Sequence, residues 1–469
     1  MDDRRGRPRP GITILLAGFV ALQLYLILVV GYGPFRDEAF YVTSGLELWR
    51  GRPYPADRYL FWFNGSPYMW PALAGLLYEA GGVAAARIGA LACVALSVAL
   101  AYGAGRRLVG VGAALAGAVV VLLGGNTMIL GHYATYDPLG FVFVAFALWA
   151  VARRIGGGAG GWTVVGGLAL WLGALSKYPF AVMGLPLAAL LLALGGPRRV
   201  RDAAVFGVSS AVPFVLTMVV MFHRPLPPTL VLYDHHTFAG FLVGAVTLGY
   251  VAVPLILLAA GWLGRRPEDG PRVSALLAIG LGSVLLWPLL HTASGQIASA
   301  FKHVWIGVLV ASPAVGFGAY RAWRVSGRWV RGLALTGIAL LGAVEWFALE
   351  PMTYPDFMPS VDFLLAEAAP GDRVQVIGDN DRWVYAMFLF GEGRIASPWS
   401  VVDPKTTGPG SSCDADWVVA TRTDVTGPVD ASSWPCPLEL AFQDRQRFLN
   451  YRGAFDVQTF QIWRRASRR

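Results

Sequence analysis

Long apolar runs, almost uninterrupted by charge, constrain this chain more than any other feature. They fall at about 11–31, 83–105, 108–125, 139–152, 162–176, 179–196, 203–222, 239–263, 273–290, 304–320 and 332–349. About 20 apolar residues in a helix match a hydrocarbon core of ~30 Å, and inside it the backbone must satisfy its own hydrogen bonds. Charged side chains make up 14% of the chain, against about 25% in soluble domains. The expectation is an all-α polytopic membrane protein with about eleven transmembrane helices over residues 1–350, followed by a small C-terminal extracytoplasmic α/β domain over 351–469.

The net charge of +9 is unevenly spread. Residues 351–469 hold 12 Lys/Arg against 15 Asp/Glu, so the basic excess lies wholly in residues 1–350. There it forms short arginine clusters between apolar runs, the pattern of cytoplasmic loops rather than of a nucleic-acid surface. One set of helix ends holds 18 Lys/Arg, in clusters that include Arg4, Arg106, Arg153, Arg198, Arg265 and Arg321, and the opposite ends hold 8. This predicts a plasma-membrane protein with a cytoplasmic N-terminus, and an odd helix count carries the C-terminus outside. The first run, Gly11–Gly31, is long enough to span and has no clear small-x-small cleavage site, so it reads as a retained helix. Cys93 lies in an apolar run, whereas Cys413 and Cys436 share the outer tail and are expected to form a disulfide there.

Two outer segments are large. The first outer loop, residues 32–82, contains 13 aromatics within 32–80. They suit an interfacial belt on short helices and equally a wall that stacks sugars or lipid. The second, residues 351–469, offers strand-like runs at Val374–Gly378, Trp417–Thr421 and Val457–Trp463, with helical stretches near 358–368 and 438–449.

All six histidines map to the outer helix ends, together with Asp37, Glu38, Asp137, Lys177 and Lys302. Ionisable groups at membrane depth are costly and mark candidate sites. Asp37-Glu38 follow the first helix, where paired carboxylates can serve as general base or metal ligand, or simply be solvated. In His132-Tyr133-Ala134-Thr135-Tyr136-Asp137-Pro138, Asp137 can be a site acid or the cap of the helix that Pro138 begins. In Ser176-Lys177-Tyr178-Pro179, Lys177 can hold a phosphate as a point charge or snorkel to the interface. Lys302 and His303 stand at the outer mouth of the tenth run, and Arg87 lies inside the outer end of the second, where it needs a partner.

These motifs together resemble the membrane glycosyltransferases of the C superfold, and most closely glycosyltransferase family 39. That group takes in the protein mannosyltransferases and lipid A aminoarabinose transferases. The resemblance rests on the first-loop Asp37-Glu38, on Asp137-Pro138-Leu139, on Leu175-Ser176-Lys177-Tyr178 and on the outer tail, and covers residues 11–350 in topology. It implies Asp37 as catalytic base, with Glu38 and Asp137 shaping the site. Many bacterial members carry Lys-Pro-Pro in the first loop, where this chain has Gly65-Ser66-Pro67-Tyr68-Met69-Trp70. The donor phosphate contact then falls to Arg58, Lys177 and Lys302, with Arg87, His132, Tyr178 and His303 as further substrate-binding candidates.

The expected activity is inverting transfer of a sugar from a polyprenyl-phosphate donor to a lipid, glycan or protein acceptor at the outer membrane face. No cofactor is required by that chemistry. Should a divalent metal ion take part, Asp37, Glu38, Asp137 and His303 are the ligand candidates. A transporter or lipid flippase is the rival reading, but it needs a polar path through the bilayer. Here the polar residues stop at one face.

Overall fold

The computed structural model describes residues 10–30, 36–51, 68–222, 241–294, 300–327, 358–377, 415–423, 437–449 and 455–466, less 125–126, 128–129, 370–371 and 373. Ten of the eleven apolar runs lie on its helices, and the eleventh, 332–349, lies outside the described residues. The order is α1 (Pro10–Tyr25, extended by a π turn to Val30), α2 (Arg36–Trp49), α3 (Trp70–Leu108), α4 (Val111–Leu123), α5 (Asp137–Ile155) and α6 (Gly161–Ser176). A 3₁₀ turn at Tyr178–Met183 leads into α7 (Gly184–Leu194), then α8 (Arg199–Phe222), α9 (Phe241–Leu263), α10 (Gly270–Ser294) and α11 (Ala300–Val325). Six of the described helices are long and apolar enough to cross a membrane. The 19 residues of α5 make a rod of about 28 Å, close to the hydrocarbon thickness.

Small residues decide how closely these helices pack, because hydrocarbon offers no hydrophobic force between them. The α11 span is 89% buried and stands at the centre. A Cβ on Gly316 would lie 2.2 Å from the Ala113 carbonyl of α4, and one on Gly318 only 1.8 Å from that of Leu257 in α9. Bulk at either position would prise backbone from backbone.

The first loop contributes two described helical pieces. Helix α2 is one, and the opening arm of α3 is the other, since α3 kinks at Gly81–Gly82. Gly82 has φ of +67°, the left-handed region that only glycine enters cheaply. The arm lies against α2 at Gly45 and Gly75, where a Cβ on Gly75 would come within 2.5 Å of the Gly45 carbonyl carbon.

Beyond the helices, α12 (Met358–Glu367) precedes a four-stranded sheet of order β1-β2-β4-β3. Its strands are β1 (Val374–Ile377), β2 (Trp417–Thr423), β3 (Leu438–Leu449) and β4 (Phe455–Arg465), with β1 parallel to β2 and the other pairs antiparallel. The stretch 438–449, expected as a helix, is therefore a strand. Its Leu, Glu, Ala, Gln and Arg residues favour a helix locally, but pairing along the whole of β4 overrides that preference. The register slips between Leu440 and Phe442, marking a bulge that offsets the alternation a strand would otherwise show. Val361 and Leu364 of α12 share one apolar cluster with Trp417, Val419, Phe460 and Ile462, and that cluster continues into Phe40, Val42, Leu46 and Trp70. The sheet unit thus packs at the end of the bundle that bears α2. Cys413 and Cys436 lie outside the described residues.

Candidate active site

Four helix segments meet here: the start of α2, the part of α3 just past its kink, the start of α5 and the end of α6. Two buried ion pairs organise them. In α2, Glu38 is fully buried and turned towards α3, where Arg87 grips it bidentately. Arg87 Nε donates to Oε1 at 2.8 Å and a terminal nitrogen donates to Oε2 at 2.7 Å. The same Oε1 accepts a third bond, from the Ala134 backbone N–H at 2.8 Å. Both oxygens are thus engaged, which is what a buried carboxylate requires.

Those bonds fix the 131–136 connection between α4 and α5. On its other side the Ala134 carbonyl accepts a bond from the Trp70 indole at 2.9 Å. Tyr133 lies beneath the Arg87 guanidinium, 5.3 Å from carbon to ring centre. His132 is buried and its Nδ1 stands 3.2 Å from Gln23 Oε1, tying the connection to α1.

The second pair joins Asp137, the first residue of α5, to Lys177 just past α6, with Nζ to Oδ1 at 2.5 Å. Asp137 therefore reaches across to another helix instead of capping its own, and Tyr136 in the capping position makes no side-chain cap bond. The Lys177 ammonium also sits 4.7 Å from the Tyr136 ring centre, and Tyr136 packs edge-on to Tyr41 at 4.6 Å. An aromatic wall of Tyr41, Tyr136 and Tyr133 so runs between the two pairs.

Each pair is internally neutral. Asp37 is half-buried and stands one residue, about 100° of helix rotation, from the inward-facing Glu38. The Thr135 hydroxyl, two residues before Asp137, and the Tyr178 hydroxyl, next to Lys177, are buried without a hydrogen-bond partner among the described residues. An unmet buried hydroxyl costs about 1–3 kcal/mol, so both are places for a polar ligand atom or water. Thr135 went unnoticed in the sequence because a threonine beside a helix start carries no distinguishing pattern.

His303 lies at the start of α11 with Nδ1 2.8 Å from Nε2 of His291 in α10, and the Trp287 ring packs tilted against it at 4.6 Å. Among the described residues no group of three or more His, Cys, Asp or Glu is placed to hold a metal ion. Arg58 and the Lys302 side chain lie outside the described residues.

The family model described as dolichyl-phosphate-mannose-protein mannosyltransferase matches residues 66–223. That stretch holds Arg87, the 131–137 connection and Lys177, and begins past Asp37 and Glu38. Among solved structures, the arabinofuranosyltransferase AftD from Mycobacteria is similar with TM-score 0.53 at 15% identity, over 99% of this chain and 42% of that one. The oligosaccharyltransferase of Archaeoglobus fulgidus gives TM-score 0.52 at 12% identity, over 87% of this chain and 69% of that one. ArnT from Cupriavidus metallidurans gives 0.49 at 14% identity, over 97% and 98%. No curated protein sequence matches significantly. At these identities the likeness concerns the fold.

Proposed function

We propose that this chain, whose fold is that of the C superfold of membrane glycosyltransferases, moves a sugar from a polyprenyl-phosphate donor to an acceptor hydroxyl at the membrane surface. The observation that carries the reading is the gathering of Asp37 with two buried ion pairs, at one end of apolar helices and against an aromatic wall. The donor class draws support from the matching family model, whose description names dolichyl-phosphate-mannose.

The chemistry follows from what such a donor needs. Its lipid stays in the bilayer while the headgroup reacts at the surface, so catalyst and membrane edge must coincide. Asp37 takes the proton from the acceptor hydroxyl as its oxygen bonds to the anomeric carbon. The bond from that carbon to phosphate oxygen breaks, with inversion, and polyprenyl phosphate leaves. The base is placed at Asp37 by the resemblance to family 39, while Glu38 is held by Arg87 and Asp137 by Lys177. Their work is to position the 131–136 connection and the α5–α6 end around the sugar, whose hydroxyls can bond Thr135 and Tyr178. Arg58, Lys177 and Lys302 are the candidate partners of the departing phosphate. Labelled sugar passing from polyprenyl phosphate to a new product, in membranes that contain the chain and not in those that lack it, tests the reading.

The site is assigned to the extracytoplasmic face, with the arginine-rich ends of the helices in the cytoplasm. Single cysteines placed at the exposed Glu79 and at Gly156, with native Cys413 and Cys436 replaced, report on this in intact cells. The expected result is reaction of the Glu79 position, and not of Gly156, with a membrane-impermeant thiol reagent. The reverse pattern would place the site in the cytoplasm.

A further inference from the structure

At the end of α5 and α6 opposite the candidate active site lies a cavity of about 520 Å³ that the transfer chemistry does not use. The Gly158-Ala159-Gly160-Gly161 part of the glycine-rich turn between the two helices forms one side, and Arg198 and Arg201 at the start of α8 form the other. Arg154 also lines it, bonded to Asp202 at 2.7 Å and to the Gly158 carbonyl at 3.2 Å, which braces the turn against α8. Arg198 and Arg201 are exposed and have no ion-pair partner among the described residues. With Asp202 offset by Arg154, the charge left facing the cavity is that of two arginines.

The walls change character with depth. Val164 of α6 and Val205 of α8 line the cavity itself. One turn deeper on the same stripes stand Leu168 on α6, then Val208 and Val212 on α8, all exposed. The two helices are held close, since a Cβ on Gly167 would come within 2.6 Å of the Phe206 carbonyl. A cationic mouth thus opens onto apolar surface that runs down the helices into the hydrocarbon. That sequence of surfaces matches a molecule with an anionic head and apolar tails.

We infer that this arginine-lined cavity binds the phosphate headgroup of an anionic lipid of that leaflet. Arg198 and Arg201 pair with the phosphate oxygens, and the acyl chains lie along the Val164–Leu168 and Val205–Val212 stripes. Two donors in fork geometry suit a phosphate better than lysines would.

The test uses the full-length purified protein in detergent, with equimolar phosphatidylglycerol and phosphatidylcholine, and native mass spectrometry to count retained lipids. The parent should keep phosphatidylglycerol several-fold over phosphatidylcholine, and Arg198→Ala with Arg201→Ala should bring the ratio to unity. Arg272→Ala with Arg324→Ala removes the same charge from exposed positions on the same face outside the cavity, and should leave the ratio as it was. A second arm adds inorganic phosphate alone and follows thermal unfolding. Stabilisation of the parent but not of the Arg198/Arg201 variant, with no lipid preference, would keep the phosphate site and assign it to a free ion, overturning the lipid. No preference and no phosphate effect, a preference that survives the Arg198/Arg201 change, or one lost equally in the Arg272/Arg324 control, would overturn the site.

Discussion

Asp37→Asn is expected to lower sugar transfer by about 10²–10⁴-fold while leaving donor binding within a few-fold of the parent. A general base acts only as the acceptor proton departs, so its loss is felt in turnover and hardly in ground-state affinity. Asparagine keeps the size and shape of the side chain and removes only its basicity. The carboxylate next in sequence gives a built-in comparison. Glu38 is closer to the core, yet Arg87 and Ala134 already occupy both its oxygens. If Asp37→Asn turned over within a few-fold of the parent at matched protein levels, Asp37 would not be the base. The role would then pass to Glu38 or Asp137, whose own ion pairs would have to open during the reaction.

Arg87→Ala is expected to cost about 3–5 kcal/mol of stability, because it leaves the buried Glu38 carboxylate without its counter-charge. The effect should spread beyond the pair, since Glu38 also holds the Ala134 N–H and through it the connection carrying Tyr133, Thr135 and Tyr136. Replacing both partners with neutral groups of similar size, Glu38→Gln with Arg87→Met, should recover much of the loss, as no orphaned charge remains. Unfolding in SDS of the purified single and double variants measures both quantities. A loss below about 1 kcal/mol for Arg87→Ala would mean that Glu38 finds water or another cation when Arg87 is gone.

The bundle was largely legible in the sequence, and the reason is physical. A helix in hydrocarbon must be apolar along its whole length, so ten runs could be read one at a time without knowing their neighbours. The pairing of polar groups was not local in this way. Arg87 was expected to need a partner, yet its partner is 49 residues away on another helix. Asp137 had a sufficient local explanation as a cap, and nothing near it indicated that its charge is met by Lys177, 40 residues on. The strand 438–449 failed for the complementary reason. Its residues favour helix, and only the partner strand β4 makes an extended conformation worthwhile. The contacts of His303 with His291 and Trp287 are likewise non-local and carry no signal in the sequence.

The central claim is that this chain transfers sugar from a polyprenyl phosphate, and one measurement addresses it directly. Purified protein, returned to lipid vesicles, is given a panel of polyprenyl-phosphate sugars labelled in the sugar, together with lipid extract and peptide acceptors. The account predicts that one donor yields free polyprenyl phosphate and an equal amount of labelled product, with the anomeric configuration inverted, and that Asp37→Asn abolishes both. Movement of the intact labelled donor between leaflets, with its sugar–phosphate bond unbroken and insensitive to Asp37→Asn, would contradict the account and make the chain a lipid transporter.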